Sequence, residues 1–249
     1  MPLTCMMKPI RKTLLLFLTV LLSACGSHSP LECFEGGGSV QSKEVELPAF
    51  SKIVTYDNID LYLLNGTGQR AVVHAAGNMI PKIEMNVTEG VLTVRNKNGC
   101  GWSRPPGNPD IYIYSDLLKR IEIYGYSNVY TPETYHIRTF SMYTYGTGDF
   151  DMNIEGDSLY VESEFIANFK IAGAVNFLSV HFTNDSQFHG KNLRAQDVIV
   201  NHRGSNLVEV FPEELLKGTL ESTGSLYYYN NPVELEVKVL GSGKLVAKY

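Results

Sequence analysis

Apolar residues recur every 19 positions along the second half of this chain. The position two residues before each of them is small, and the position directly before each is polar. A fixed period near 20 is typical of stacked coils, because one short coil cannot bury its own apolar face and a stack can. These apolar positions, called the anchors below, are Val129, Phe150, Phe169, Phe188, Leu207, Leu226 and Leu245, where the first spacing is 21.

The pattern inside each repeat indicates what the coils are made of. Apolar or small residues alternate with polar ones in steps of two, which is the periodicity of a strand and not of a helix. Glycine at the small positions suits a narrow corner and also permits a positive φ angle. The spacing therefore predicts an all-β protein, a β-helix with coils of about 19 residues over 119–249. A β-sandwich with coincidental spacing is the alternative, because regularly spaced short strands also occur in sandwiches.

A leader sequence precedes the repeats. Lys8, Arg11 and Lys12 are followed by an apolar run at 14–22 and by Ser-Ala-Cys, which is typical of a secretory signal and too short to span a bilayer. The ending resembles the lipobox of bacterial lipoproteins. We therefore expect a signal peptide at 1–24, lipidation of Cys25 and attachment to the outer membrane through the lipid. The true start stays open among the three N-terminal methionines, Met1, Met6 and Met7.

Residues 25–44 are rich in Gly and Ser and predict a flexible tether between the lipid and the domain. Cys5 is lost with the leader and Cys25 carries the lipid, so two cysteines remain, Cys33 and Cys100. An exported protein lives where disulfides form, so a Cys33–Cys100 bridge is the favoured expectation. Two free thiols are the alternative, because two cysteines do not prove a pairing.

Charge and residue spacing exclude several classes of function. Without its leader the chain has 18 basic and 26 acidic residues, a net charge of −8. Nucleic-acid binding is not expected, because it rests on clustered Lys and Arg. No metal and no cofactor are expected, since the six histidines fall at no ligand spacing and no Gly-rich stretch opens a helix. The sequence does not indicate an oligomeric state.

The first half of the chain, 45–118, contains several short runs with the composition of strands. We expect them to cap the open end of the coils, which would otherwise expose unpaired strand edges. They could form a separate sandwich or irregular first coils, and the sequence does not distinguish the two. Asn65 and Gly66 lie between two of these runs and predict a hairpin turn.

One row of side chains is a candidate binding surface. Positions seven and five before the anchors face outward if the apolar residues at eight face inward. Exposed Tyr beside Glu and His can stack sugar rings and hydrogen-bond hydroxyls, although Tyr is also a good strand residue that needs no ligand. The candidate residues are Glu122, Tyr124, Tyr143, Tyr145, Glu162, Glu164, His181 and His202.

The glycine-rich repeats resemble those of a known family. The stretches at 146–150 and 241–245 are similar to the repeated Ser-Gly-Ser-Gly-Asp-apolar motif of the putative auto-transporter adhesin, head GIN domain family. The resemblance extends over residues 45–246 and implies a right-handed β-helix in a secreted or lipid-anchored envelope protein. The chain departs from the motif where Phe165, Asn184 and Arg203 replace its first glycine.

These features together predict a non-enzymatic envelope lipoprotein that binds a glycan or a surface protein. The second hypothesis is a polysaccharide lyase or hydrolase, which would need a groove that gathers acidic groups such as Glu162 and Glu164. The third is a passive periplasmic component without a ligand. The domain could face the periplasm or the cell surface.

Overall fold

In the computed structural model, residues 38–99 and 107–249 are described. Their only helical element is a single 3-10 turn at Ile80–Lys82. Their strands are β1 (Val40–Glu46), β2 (Lys52–Thr55), β3 (Ile59–Leu64), β4 (Arg70–Ala76), β5 (Ile83–Thr88), β6 (Val91–Asn96), β7 (Asp110–Tyr114), β8 (Arg120–Ile123), β9 (Ser127–Tyr130), β10 (Tyr135–Thr144), β11 (Gly148–Ser163), β12 (Ala167–Phe182), β13 (Gln187–His202), β14 (Val208–Leu220), β15 (Leu226–Tyr228), β16 (Glu234–Val239) and β17 (Leu245–Ala247).

The strands from β8 onward stack coil on coil in parallel, which confirms the predicted β-helix. β11 pairs with β12 over nearly its whole length with partners 19 residues apart, such as Phe150 and Phe169. Two parallel sheets run along the stack and form two of its outer surfaces. The first sheet contains β6, β2, β8 and the ends of β10 to β14. The second sheet contains β7, β3, β9 and the starts of β11 to β14.

The anchors form the centre of the core. Phe150 and Phe169 are both fully buried, and their rings stack with centroids 4.5 Å apart. Phe188 continues the row at 6.5 Å from Phe169. Burial of one such aromatic side chain contributes about 3 kcal/mol, so the row binds successive coils into one hydrophobic core.

One anchor was assigned wrongly, because the spacing is not constant. Phe188 pairs with Val208 and not with Leu207, and Val208 pairs in turn with Leu226. The cause is a bulge in β13: Lys170 pairs with His189, but Ala172 pairs with Asn192, one residue further on than the period requires. Every residue downstream in that coil is therefore shifted by one position and faces the opposite side. The same shift buries Val200, whereas Ile199, eight positions before the assigned anchor Leu207, is only half-buried.

Glycine at the corners serves close packing and not an unusual backbone angle. A Cβ on Gly148 would lie 2.0 Å from the carbonyl oxygen of Ser127 in the preceding coil, and a Cβ on Gly146 would lie 2.1 Å from that of Gly125. Neither glycine has a positive φ angle, so the narrow corner and not the freedom of φ accounts for glycine here. The glycine-rich motif therefore lets one turn lie directly on the turn below it.

The first half of the chain forms irregular first coils and not a separate sandwich. β2 lies between β6 and β8, and β3 lies between β7 and β9, all in parallel. The coil built from β6 and β7 is thus placed outside the coil built from β2 and β3, although it comes later in the sequence. Antiparallel strands complete this end: β5 pairs with β6, β4 with β7, and β1 with β4.

The predicted hairpin at Asn65 and Gly66 is wrong. β7 pairs with both β3 and β4, so it separates the two strands that the turn joins. Asn65 instead fastens the turn to β10: its side-chain nitrogen donates to the Thr134 carbonyl oxygen at 2.7 Å, and its side-chain oxygen accepts from the His136 amide at 3.0 Å.

The leader, the lipidation site Cys25 and both cysteines of the expected bridge, Cys33 and Cys100, lie outside the described residues. Within those residues, no helix is long and apolar enough to cross a membrane.

Candidate binding surface

Three tyrosines follow the ends of successive first-sheet strands and form a continuous column. Tyr124 stacks on Tyr56 with centroids 5.2 Å apart and on Tyr145 with centroids 4.8 Å apart, and the ring planes differ by 15° and 11°. All three are exposed. We call Tyr56, Tyr124 and Tyr145 the tyrosine column. The sequence predicted the last two, but Tyr56 was missed because its strand is stacked out of sequence order.

The stacking decides what the column offers a ligand. Each ring covers the face of its neighbour, so the rings present edges and hydroxyl groups to solvent. The guanidinium of Arg95 lies 4.1 Å from the centroid of Tyr56 and covers the face at that end. The column is therefore suited to hydrogen bonding along its length, whereas stacking of sugar rings on every tyrosine, as the sequence suggested, is not available.

Glu122 was predicted to face a ligand, but it is engaged within the protein. It is 5% exposed and pairs with Lys52 at 2.8 Å and with Arg120 at 2.5 Å. Burial alone would raise the pKa of this carboxyl, but the hydrogen bonds from Lys52 and Arg120 outweigh it and lower the pKa. Arg120 also lies 3.7 Å from the ring centroid of Tyr143. The Glu122–Lys52 pair thus joins β8 to β2, and Arg120 holds the half-buried Tyr143 of β10 in place.

His202 does not belong to the surface. The bulge in β13 turns it inward, where it is 1% exposed, and its ring centroid lies 6.2 Å from that of Phe182. Its Nε2 donates to the Asn206 carbonyl oxygen at 2.7 Å, while Nδ1 has no partner among the described residues. Burial lowers the pKa of His202, and the bond to Asn206 only partly opposes that effect.

The remaining predicted residues continue the outer face of the first sheet. Glu162 lies between Tyr143 and His181 in register, and the side chains of Glu162 and His181 are half-buried. Glu164 is exposed and follows the strand end one coil beyond Tyr145. The structure therefore places Glu162, Glu164 and His181 beside the tyrosine column. Among the residues that the structure describes, these three do not form an enclosed acidic groove.

An apolar corner beside the column was not predicted. Tyr126 is 67% exposed, Phe165 49% and Ile166 54%, and all three lie at the corner between the first and second sheets. Phe165 stands where the repeat motif has its first glycine, so this departure was the available signal. Past Ile166 the corner borders a shallow groove of about 310 Å³ with polar side chains that include Asp149 and Asp185. We call Tyr126, Phe165 and Ile166 the apolar corner.

A second aromatic column lies on the second sheet. Tyr62 stacks on Tyr112 at 4.5 Å and on Tyr130 at 5.1 Å. Asp60 and Asp110 pair in register beside these rings. Across residues 38–99 and 107–249, no group of three or more His, Cys, Asp or Glu is arranged to hold a metal ion.

Solved structures resemble this chain in fold. A putative adhesin from Bacteroides fragilis is 18% identical, with a TM-score of 0.77 over 84% of this chain and 97% of its own. A putative lipid binding protein from Parabacteroides distasonis is 15% identical, with a TM-score of 0.64 over 86% of this chain and 98% of its own. A putative adhesin from Parabacteroides merdae is 14% identical, with a TM-score of 0.60 over the same shares. Comparison with curated proteins gives no significant match.

The family described as "Putative auto-transporter adhesin, head GIN domain" matches residues 49–232. The match includes the irregular first coils, the tyrosine column and all anchors before Leu245. Its description suggests a protein associated with the cell envelope or surface. This chain belongs to the head GIN domain family of adhesin-like proteins.

Proposed function

We propose that this protein is a non-enzymatic adhesion module that binds the surface of another protein through the tyrosine column and the apolar corner. The observation that carries the proposal is the cluster of exposed large apolar side chains on three successive coils: Tyr124, Tyr126, Tyr145, Phe165 and Ile166. Contiguous exposed apolar surface on a soluble domain is typical of a binding site, and aromatic residues are enriched at the centres of protein interfaces.

The hydroxyl edges of the column support the same function. They border the apolar corner and can accept or donate hydrogen bonds along a partner, as the polar rim of an interface does. A glycan partner is the second candidate, because Tyr126 is the most exposed of these rings and a sugar could pack on it. The enzymatic alternative lacks a comparable observation among the residues described.

The proposal includes anchoring at the outer membrane through lipidated Cys25, behind the tether at 25–44. It is supported by the leader and lipobox pattern of the sequence and by the envelope association that the family description suggests. Metabolic labelling with a fatty acid tests the anchor: labelled protein is expected for the wild type and none for Cys25→Ala. Non-permeant protease added to intact cells tests orientation. If the protein is an adhesin, the protease should cleave the domain while a periplasmic control protein remains intact.

The binding experiment compares two triple variants of the purified domain. Tyr126→Ser, Phe165→Ser and Ile166→Ser together should reduce binding of the labelled domain to immobilised cell-surface proteins by at least tenfold, because hot-spot residues dominate an interface. The matched control replaces exposed apolar residues elsewhere, Leu117→Ser with Val233→Ser and Leu235→Ser. Circular dichroism checks the fold of both. Equal loss in both variants would contradict the proposed surface, and binding only on a glycan array would select the second candidate.

A further inference from the structure

The second aromatic column lies among carboxylates. Asp110, Asp60, Asn128 and Asp149 occupy one row across four neighbouring strands of the second sheet, and the rings of Tyr112, Tyr62 and Tyr130 occupy the row beside it. Asp60 Oδ1 accepts from the side-chain amides of Asn108 at 3.1 Å and Asn128 at 2.8 Å, so its position is fixed. We call this set the acidic tyrosine strip; it consists of Tyr62, Tyr112, Tyr130, Asp60, Asp110 and Asp149.

The charges of the strip are not neutralised within the described residues. None of their Lys or Arg side chains forms an ion pair with Asp60, Asp110 or Asp149. Lys170, the nearest basic residue in the tyrosine row, is paired with Asp151 at 2.7 Å. His74 packs on the strip, with its ring centroid 4.9 Å from that of Tyr112.

Four tyrosines elsewhere on the surface differ from the strip in this respect. Arg95 covers Tyr56, Arg120 covers Tyr143, Arg70 covers Tyr114 and Lys248 covers Tyr227, with separations between the charged atom and the ring centroid of 3.7 to 4.5 Å. Cations are attracted to the faces of aromatic rings, and these four sites satisfy that attraction internally. In the tyrosine row of the strip, the residue that follows Tyr130 in register is the carboxylate Asp151.

The pKa values of the strip are shifted first by burial and then by the neighbouring carboxylates. The pKa of Asp110 is raised by burial and then by the carboxylate of Asp60, with His74 opposing. Burial and the charge of Asp110 raise the pKa of Tyr62 to about 12. Burial, followed by Asp60, Asp149 and Asp151, also raises the pKa of Tyr130. Tyr112 and Tyr130 cover the two faces of Tyr62, so the rings offer mainly their edges and hydroxyl groups, and the face of Tyr130 towards Asp151 is the one that the described stacking leaves open. A positive group placed here would therefore be stabilised by the carboxylates and, beside Asp151, by the face of Tyr130.

A cavity adjoins the strip and gives it depth. Its volume is about 300 Å³, and Asp60, His74, Asp110, Asn108 and Met79 are among the residues that line it. A water molecule occupies about 30 Å³ of liquid, so this space can admit the end of a long side chain. The lining thus combines two carboxylates with the apolar side chain of Met79, which suits an ammonium or guanidinium group on an aliphatic stem.

We propose that the acidic tyrosine strip binds a basic polypeptide segment, with one lysine or arginine side chain in the cavity and others along the tyrosine row. A polypeptide is favoured over a small amine because the strip crosses four strands, which at the usual strand spacing is a length of about 14 Å. Charge complementarity across such a surface also accelerates association. This site lies on the second sheet and does not depend on the adhesion surface proposed above.

The test uses the purified domain and a hexalysine peptide, with the acetyl-lysine hexamer as the uncharged probe. The variant Asp110→Asn with Asp149→Asn removes two carboxylates from the strip. The control is Glu155→Gln with Asp157→Asn. It removes two exposed carboxylates of β11, the strand that also carries Asp149, at positions away from the strip, and so gives the same net charge as the strip variant. Calorimetry at low and physiological salt measures the affinity, and thermal unfolding checks the fold.

We expect hexalysine to bind the wild type, at least tenfold weaker binding in the strip variant, and a change of less than twofold in the control. Tyr130→Leu should also weaken binding by about tenfold, because it removes a ring face but no charge. Equal weakening in both charge variants would show attraction to the acidic protein as a whole and would overturn the site. Lysine amide binding as tightly as hexalysine would overturn the polypeptide as its occupant.

Discussion

Val208 lies directly above Phe188 in the core, twenty residues along the chain, and Leu207 beside it is only half-buried. The relationship makes a prediction about stability. Val208→Ala removes buried methyl groups from the anchor row and should lower the free energy of unfolding by about 2 kcal/mol. Leu207→Ala should cost less than half of that although leucine is larger. Urea denaturation of both variants measures the two losses in free energy of unfolding. A larger loss for Leu207→Ala would show that the 19-residue spacing holds through this coil.

His202 should make the domain sensitive to acid. Its pKa in the folded protein is lowered, chiefly by burial, so the unfolded chain binds a proton more readily than the folded one. The free energy of unfolding is therefore not reduced by His202 at pH values above about 6.5, the pKa of histidine in the unfolded chain. It declines as the pH falls below that value, because the unfolded chain then takes up the proton first. We expect His202→Leu to flatten the fall in melting temperature between pH 7 and pH 5, measured by calorimetry. The same flattening in His181→Asn, whose ring is half-exposed, would assign the acid sensitivity to histidines in general.

Glu122 should matter for stability and not for ligand contact. Glu122→Gln leaves Lys52 and Arg120 without their shared carboxylate, and we expect a loss of about 2 kcal/mol, below the full cost for a buried pair because both cations keep access to water. Since the folded pKa of Glu122 is lowered, this contribution is present above the unfolded pKa of about 4.3 and is lost as the pH falls through the folded value. Urea unfolding at pH 7 measures it.

The control for that variant is Glu162→Gln, on the same outer face two coils further along. It should change the free energy of unfolding by less than about 0.5 kcal/mol, as surface substitutions usually do. If the two variants were equally stable, the ion pairs of Glu122 would contribute nothing beyond an ordinary exposed carboxylate.

Gly148→Ala tests the close approach of successive turns. The added methyl group would lie 2.0 Å from the Ser127 carbonyl oxygen, so two coils must separate, and we expect a loss of about 3 kcal/mol. Gly68→Ala is the matched control, because nothing lies within 4 Å of its Cβ position and its φ angle is not positive. The melting temperature should fall strongly for Gly148→Ala and hardly at all for Gly68→Ala. Similar melting temperatures for the two variants would mean that adjacent coils can separate at little cost.

The repeat period was sufficient to predict the coils, because the apolar positions of each strand are those that face the core. It failed at His202 and Val208, since one bulged residue in β13 reverses the faces of a whole segment and leaves no mark in the composition. Tyr56 could not be placed beside Tyr124, because sequence distance says nothing about a coil stacked out of order. The apolar corner was visible at Phe165 only as a missing glycine.

The out-of-order first coils have a consequence for how such a protein is made and how it can lengthen. Residues 52–64 lie between residues 91–96 and 110–114 on one side and residues 120–130 on the other, so this coil can gain both neighbours only once the chain is available as far as residue 130. The N-terminal strands therefore cannot complete their pairing in sequence order, whereas each regular coil pairs with the coil that precedes it in the sequence. By the same topology, duplication of a 19-residue unit is compatible with the fold after β9, whereas before β8 an inserted unit would separate strands that must meet.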